Sequence, residues 1–223
     1  PDIQFCHATG FQAKDSGLSN MHNYFASIYE ARYLAGIAAG MKTESNKLGY
    51  VAAFPFAEVI SGYTAFYLGA KSVNPDVTMD IMYTNSWNVP TVESQVAKPL
   101  IERGCDVVSQ HSDSIAPATT DEEYGAFQVG YNNDMIEAAP KSSLISARID
   151  WGIYVTDAVQ AVIDGKEIPV DWCKGLKDGA VYLSPLNTDI AAEGTQEAID
   201  KATKALEAGE IHVFDGPLKG TSP

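Results

Sequence analysis

Two short polar segments of this chain each follow residues with a strand-like pattern. The first is Asn85, Ser86 and Trp87 after residues 78–84, and the second is QHSD at 110–113, ending the strand predicted from Cys105. Ligands of parallel α/β sheets bind outside the carboxyl ends of the strands. An indole near amide, imidazole, hydroxyl and carboxylate groups can stack on a ring and hydrogen-bond its edge. We therefore predict that these two strand ends are adjacent and form one wall of a ligand pocket.

The same residues do not form a catalytic pattern. Ser112 lacks the Gly-x-Ser-x-Gly turn that exposes a nucleophilic serine, and the sequence has no phosphate-binding glycine loop. No cysteine lies in a recognisable nucleophile motif. His111 shows no metal-ligand spacing to His7, His22 or His212. The sequence therefore predicts a binding protein rather than an enzyme, with no metal and no cofactor.

Composition and charge narrow the class of protein further. The net charge is -14 over 223 residues, which argues against nucleic-acid binding because neutralising phosphates requires a Lys/Arg-rich face. The longest apolar runs, such as residues 50–57, are far shorter than the roughly 20 residues that span a bilayer. Three cysteines (Cys6, Cys105, Cys173) are odd in number and widely spaced, so we expect free thiols that are buried where they lie in strands.

Hydrophobic periodicity alternates between strand and helix through most of the chain. Five segments after residue 45 have a strand-like pattern: 48–54, 78–84, 105–110, 127–131 and 143–149. Helical spacing fills intervals such as residues 58–73, and a final amphipathic helix is predicted at about 195–207. Alternation with short loops predicts an α/β fold whose sheets are mainly parallel and doubly wound.

Two further expectations concern local chemistry. Pro99 lies inside the helix predicted for residues 92–103 and removes a backbone donor, so we expect a kink or a break there. The Lys-Asp-Gly sequence at 177–179 predicts the turn of a hairpin-like stretch that runs from Trp172 to Leu183.

Several segments resemble, in order, the BMP family of extracytoplasmic solute-binding lipoproteins, the PnrA-like nucleoside-binding proteins of ABC importers. The resemblance covers nearly the whole chain. The segments that carry it are FCHATG at 5–10, YEARYLAG at 29–36, KLGYVA at 47–52, GAKSVNPD at 69–76, NSW at 85–87, QHSDS at 110–114, and residues 172–185.

This resemblance implies a type I periplasmic-binding-protein fold, in which two doubly wound parallel-sheet lobes joined by a hinge close on a ligand. It assigns residues 1–45 to the C-terminal part of lobe I and 46–147 to lobe II. Residues 148–223 would return through the hinge and supply a lobe I helix and the C-terminal strand and helix elements. Lobe I would then lack its N-terminal part, and such a half-sheet exposes apolar surface that invites a partner chain or aggregation.

The resemblance also implies a function. It predicts an ABC importer component that binds a purine base or nucleoside, with an ABC permease in the membrane as its partner. The location would be periplasmic or at the cell surface, where a lipid anchor in the missing N-terminus is compatible with the family. One alternative is the ligand-sensing domain of a signalling or regulatory protein. Another is a nucleoside-processing enzyme, against which the absence of paired catalytic groups argues.

Family members place an aromatic side chain where Trp87 stands and stack it on the purine, a contact worth about 1–3 kcal/mol. Packing inside the protein is the alternative for this indole. Gln110, His111 and Ser112 follow a strand end, where their side chains can hydrogen-bond a ring or a ribose. A surface position or a structural hydrogen bond is the alternative for His111.

The remaining candidates lie after later strands and near the N-terminus. Asn132 and Asp134 match a short acidic motif of the relatives, with an Asx turn as the alternative. Asp150 and Trp151 lie at the exit of the predicted hinge strand, where Asp150 could instead cap the next helix. Nucleoside-binding relatives carry a lysine in place of Asp150 and often an aspartate in place of Thr9. Both departures favour a bare base or another small ring over a nucleoside.

Overall fold

The computed structural model of the chain describes residues 3–215. These residues form two compact units, and the chain passes from one to the other three times. The first unit comprises residues 3–28 and Ile149–Tyr182, and the second comprises Tyr29–Arg148 and residues 183–215. Among the helices of these residues, none combines the length and the apolar character needed to cross a membrane.

Strands and helices alternate along the chain, as the periodicity predicts. The elements are β1 (Phe5–Ala8), β2 (Met21–Ala26), α1 (Ile28–Lys42), β3 (Lys47–Ala52), α2 (Ala57–Val73), β4 (Thr78–Tyr83), α3 (Pro90–Glu102), β5 (Val107–Gln110), α4 (Ala116–Glu123), β6 (Phe127–Tyr131), β7 (Ser143–Ile149), α5 (Trp151–Ile163), β8 (Asp171–Lys174), a short 3-10 helix (Leu176–Asp178), β9 (Val181–Leu183) and α6 (Thr195–Glu207).

The first unit contains a parallel three-stranded sheet in the order β1-β2-β8. Helix α5 packs on it through Tyr154, whose ring stacks on Tyr24 at 4.0 Å between centroids and lies edge-on to Trp172 at 5.2 Å. The other side of α5 is an exposed apolar stripe made of Val155, Val159, Val162 and Ile163. The first unit therefore exposes an apolar surface on one side of α5.

The second unit is built on a six-stranded sheet in the order β4-β3-β5-β6-β7-β9, and the first five strands of this order are parallel. Successive residues of β3 point to opposite faces of the sheet. Tyr50 faces α2, where its ring lies 5.8 Å from that of Phe66, and Val51 packs in a cluster with Leu100 of α3. Helices therefore cover both faces of a mainly parallel sheet, which confirms the predicted fold class.

Helix α1 lies in the second unit from Tyr29 onward, whereas the sequence boundaries put residues 29–45 in lobe I. The reason is a close contact between α1 and α2 at two glycines. A Cβ atom on Gly36 would lie 2.0 Å from the carbonyl oxygen of Phe66, and one on Gly69 would lie 1.9 Å from that of Tyr33. Residues 183–215, including α6, also belong to the second unit.

Three local predictions were wrong. β8 and β9 do not form a hairpin, because they lie in different sheets and a 3-10 helix ending at Gly179 joins them. Helix α3 is not broken at Pro99 but continues to Glu102, so of the predicted kink or break the break is wrong; few hydrogen bonds follow the proline because it lies close to the end of the helix. All three thiols are free, but Cys6 is exposed because β1 is an edge strand.

Asp121 in α4 is a buried carboxylate without compensation. It is 0% exposed, and neither carboxylate oxygen has a hydrogen-bond partner among the described residues. Burial raises the pKa of this carboxyl well above its usual value. Above about pH 4 the unfolded chain releases this proton, whereas the folded protein retains it. Asp121 therefore destabilises the fold increasingly as the pH rises from about 4 toward its folded-state pKa.

We expect Asp121→Asn to raise the free energy of unfolding at pH 7 by at least about 1 kcal/mol, the equivalent of roughly one pKa unit. The gain should be much smaller at pH 4, because about half of the unfolded aspartate is then protonated too. Urea unfolding at pH 4 and pH 7 measures both values. The exposed Asp76→Asn serves as the control, and an equal pH dependence of the two variants would contradict the account.

Candidate ligand-binding site

The carboxyl ends of β4, β3, β5 and β6 lie side by side along one edge of the sheet of the second unit. β3 separates β4 from β5, so the prediction that the ends of β4 and β5 are adjacent is wrong. The two predicted segments nevertheless meet, because the backbone N–H of Asp113 donates to the carbonyl oxygen of Trp87 at 2.8 Å. Because β3 lies between β4 and β5, the loop that follows β3 belongs to the same site.

Three rings after β3 and β4 form an aromatic cluster, Phe54, Phe56 and Trp87. Phe54 and Phe56 stack with centroids 5.3 Å apart and planes 17° apart. The Trp87 ring lies 5.3 Å from Phe54 and 6.2 Å from Phe56. Trp87 is half-buried and Phe56 is 52% exposed. The aromatic cluster thus presents partly exposed apolar ring surface at a strand edge where ligands bind.

Sequence reasoning missed Phe54 and Phe56, although a usable signal was present. Both follow β3 just as Trp87 follows β4, so the rule that selected Trp87 applies to them equally. Only the strand order shows that the three side chains come together.

Asn85 and Ser86 form the turn that presents Trp87. Asn85 has a φ of 53°, a left-handed conformation that asparagine tolerates, and its N–H donates to the Ala53 carbonyl at 2.9 Å. The Thr84 hydroxyl donates to the Ser86 carbonyl at 2.7 Å. The Asn85 side chain is exposed, and the Ser86 hydroxyl is buried with no partner among the described residues. The Asn85 side chain is therefore accessible to a ligand, whereas the Ser86 hydroxyl is enclosed by the protein.

Gln110 and Ser112 are both buried but differ in their hydrogen bonding. The Gln110 amide donates to the carbonyls of Ser112 at 2.9 Å and Ser114 at 2.8 Å, and it accepts from the Gln128 amide at 3.1 Å. These bonds use both amide hydrogens, so the Gln110 side chain stabilises the loop that follows β5. The Ser112 hydroxyl is buried and has no partner among the described residues.

His111 connects the aromatic cluster to β6. Its ring lies 6.3 Å from that of Trp87 and 4.8 Å from that of Tyr131, and its Nδ1 lies 3.5 Å from the Tyr50 hydroxyl. Burial, aided by the charge of Arg32, holds the pKa of His111 well below its usual value. At neutral pH the imidazole is uncharged, with one nitrogen as donor and the other as acceptor.

Asn132 and Asp134 follow β6, and each already has a structural bond. The Asn132 amide donates to Asp113 Oδ1 at 3.0 Å. Partial burial raises the pKa of Asp113, and the nearby Glu93 adds to this, while the bond from Asn132 opposes it. Asp134 is exposed, and its Oδ1 accepts from the Ile136 N–H at 3.0 Å in an Asx turn.

Thr9, Asp150 and Trp151 are carried by the first unit. Thr9 follows β1 with a φ of 57°, and its hydroxyl donates to the Ala8 carbonyl at 2.6 Å. Asp150 caps α5, accepting from the Gly152 N–H at 2.8 Å, so the capping alternative is the arrangement observed. The Trp151 ring lies edge-on to Tyr24 at 5.3 Å. In residues 3–215, His, Cys, Asp and Glu form no group of three or more that could hold a metal.

A family model and curated relatives match most of this chain. Residues 1–213 match the family model Bmp, "ABC transporter substrate-binding protein PnrA-like". A purine-binding protein of Brucella abortus (strain 2308) is 35% identical over 221 residues, which are 98% of this chain and 61% of that protein. A Haloferax volcanii protein named as an ABC transporter glucose-binding protein is 38% identical over 217 residues, which are 97% of this chain and 54% of that protein.

The fold also has solved counterparts. A solute-binding protein of an ABC transporter system from Conexibacter woesei DSM 14684 superposes with a TM-score of 0.72 at 18% identity, over 95% of this chain and 71% of that one. The chain spans 54% and 61% of the length of the two curated relatives above. The fold is that of periplasmic-binding-protein-type solute-binding proteins, as predicted. Because the family model matches nearly its whole length, the chain belongs to the PnrA-like (Bmp) family of ABC transporter substrate-binding proteins.

Proposed function

We propose that this chain is the ligand-binding part of an extracytoplasmic solute-binding protein that delivers a purine base or nucleoside to an ABC permease. Family membership supports the importer role, and the name of the Brucella relative supports a purine. The observation that carries the ligand class is the aromatic cluster of Phe54, Phe56 and Trp87. Its partly exposed rings suit stacking on a planar heterocycle.

Polar groups beside the aromatic cluster match the mixed edge of a purine, which carries both donors and acceptors. The exposed Asn85 amide, next to Trp87 in the chain, supplies both donors and an acceptor. Asp113 supplies carboxylate oxygens next to the Asn132 amide. Because His111 is uncharged, a purine that binds beside it does not have to bury a cation, which would be costly.

A bare base is the preferred form of the ligand. Where nucleoside-binding relatives carry a lysine for the ribose, this chain has Asp150, whose carboxylate accepts a helix N–H instead. Thr9, in place of an aspartate, bonds its neighbouring carbonyl. Neither residue supplies the ribose contact that the family resemblance implies, so a base should bind at least as tightly as its nucleoside.

Thermal unfolding with added ligands tests this proposal. The panel contains adenine, guanine and hypoxanthine, their nucleosides, and glucose, which the name of the Haloferax relative makes the natural competitor. A ligand that binds only the folded protein stabilises it by RT ln(1 + [L]/Kd), about 2.7 kcal/mol at a hundredfold excess over Kd. We expect a rise in Tm with a purine base and none with glucose. A rise with glucose alone would overturn the purine assignment, and a rise only with nucleosides would overturn the preference for a base.

A further inference from the structure

Arg32 is a buried cation behind the candidate ligand-binding site of the second unit. We use the word wall for the rings that line this site: the aromatic cluster, His111 and Tyr131. It lies in α1 and is 1% exposed. Its Nη1 donates to the carbonyl oxygen of Gln110 at 2.9 Å, immediately before His111 in the chain. The guanidinium carbon lies 4.1 Å from the ring centroid of Tyr131 and 5.7 Å from that of Tyr50. A planar guanidinium is suited to stacking on a ring while donating hydrogen bonds from its edge.

The charge of Arg32 is poorly compensated. Within residues 3–215 it forms no ion pair with a carboxylate, and its Nε and Nη2 have no hydrogen-bond partner there. Burying a charge without a partner is costly, so stability alone would favour an apolar side chain at this position. A residue that costs stability in this way fits a functional role.

Arg32 and His111 meet at a space left by Gly62 of α2. A Cβ atom on Gly62 would lie 3.0 Å from Arg32 Cδ and Nε and 3.1 Å from His111 Nδ1. The guanidinium therefore lies beside the imidazole and also stacks on Tyr131, the ring that contacts the imidazole from β6. His111 in turn contacts Trp87. The Arg32 side chain of α1 therefore lies next to two rings of the candidate site: His111, which follows β5, and Tyr131 in β6.

We propose that Arg32 is the positioning residue of this wall, holding the rings of His111 and Tyr131 in place so that the aromatic cluster is preorganised for its ligand. The proposal rests on the proposed function for the identity of the ligand. It does not need a contact between Arg32 and the ligand, because preorganisation lowers the entropy lost when side chains are ordered on binding. Tyr50, Tyr131 and Arg32 are the titratable groups observed around His111.

The test compares Arg32→Met, which keeps an unbranched stem and removes the guanidinium, with the wild-type chain. NMR titration of the imidazole in the ligand-free protein, assigned with His111→Gln, reports the coupling between Arg32 and His111. We expect no titration of His111 near neutral pH in the wild-type chain and an upward shift of its midpoint in Arg32→Met. Calorimetry with adenine should show affinity weakened about tenfold or more. Leu100→Val, in the cluster that packs against the other face of the sheet, is the control for loss of stability and should change neither readout.

An unmoved His111 titration in folded Arg32→Met would overturn the proposal, as would an unchanged affinity. If the wild-type chain binds no purine, the proposed function fails, while the titration still decides whether Arg32 acts on His111.

Should Arg32→Met not fold, Arg32→Lys replaces it. Lysine keeps the charge but cannot stack flat on Tyr131 while donating to Gln110, so we expect an untitrated His111 and weakened binding. Wild-type affinity in Arg32→Lys would contradict the role of the planar group.

Discussion

Replacing Trp87 by alanine is expected to weaken purine binding by about fivefold to more than a hundredfold. Base–aromatic stacking is worth about 1–3 kcal/mol, and each 1.4 kcal/mol corresponds to tenfold in affinity. The indole also packs on Phe54 and Phe56, so its removal takes away part of the ring surface and the support of the rest. Isothermal calorimetry with adenine measures the loss directly.

Two further variants make this result specific. Trp87→Phe keeps a smaller ring and should lose less affinity than Trp87→Ala. Tyr124→Ala removes another partly exposed aromatic side chain, which lies just after α4 beside Lys98, and should bind adenine as the wild-type chain does. Unchanged affinity in Trp87→Ala would show that the aromatic cluster does not hold the ligand, even if a purine binds elsewhere on the protein.

Replacing Gly69 by alanine is expected to lower the free energy of unfolding by about 3 kcal/mol, at the upper end of overpacking costs. In an isolated helix the same change would be favourable by about 1 kcal/mol. Here the added methyl group would lie 1.9 Å from the backbone oxygen of Tyr33. A backbone atom cannot rotate away as a side chain does, so α1 and α2 must separate. Urea unfolding measures the change.

Thr64→Ala in the same helix is the matched control, because it also replaces a poorer helix former by alanine at a position beside Thr78 and Ile81 of β4. We expect it to leave stability unchanged or to raise it by up to about 0.7 kcal/mol, the difference in helix propensity. Gly69→Ala should also weaken adenine binding, since moving α1 displaces Arg32 from Gln110 and Tyr131. Equal stability of the two variants would mean that the helices separate at little cost and that their contact does not fix α1.

Much of the secondary structure follows from the sequence alone. The predicted bounds of β6, β7 and α6 coincide with the observed ones. These bounds depend on local chemistry: strands alternate with period two, helices repeat every three to four residues, and helix ends require particular residues. The same local rule identified Trp87 as a residue at a strand end. Strand–helix alternation predicted the α/β class and the family resemblance added the periplasmic-binding-protein type, and both are confirmed.

Tertiary structure decided which of these residues act together. Strand order placed β3 between β4 and β5 and so brought Phe54 and Phe56 to Trp87. Long-range packing placed α1 in the second unit and Arg32 behind His111, and it used both amide hydrogens of Gln110 inside the loop. The sequence by itself determined the elements and the side chains at their ends. Strand pairing and helix packing depend on contacts between residues that are far apart in the chain. Local periodicity does not predict those contacts.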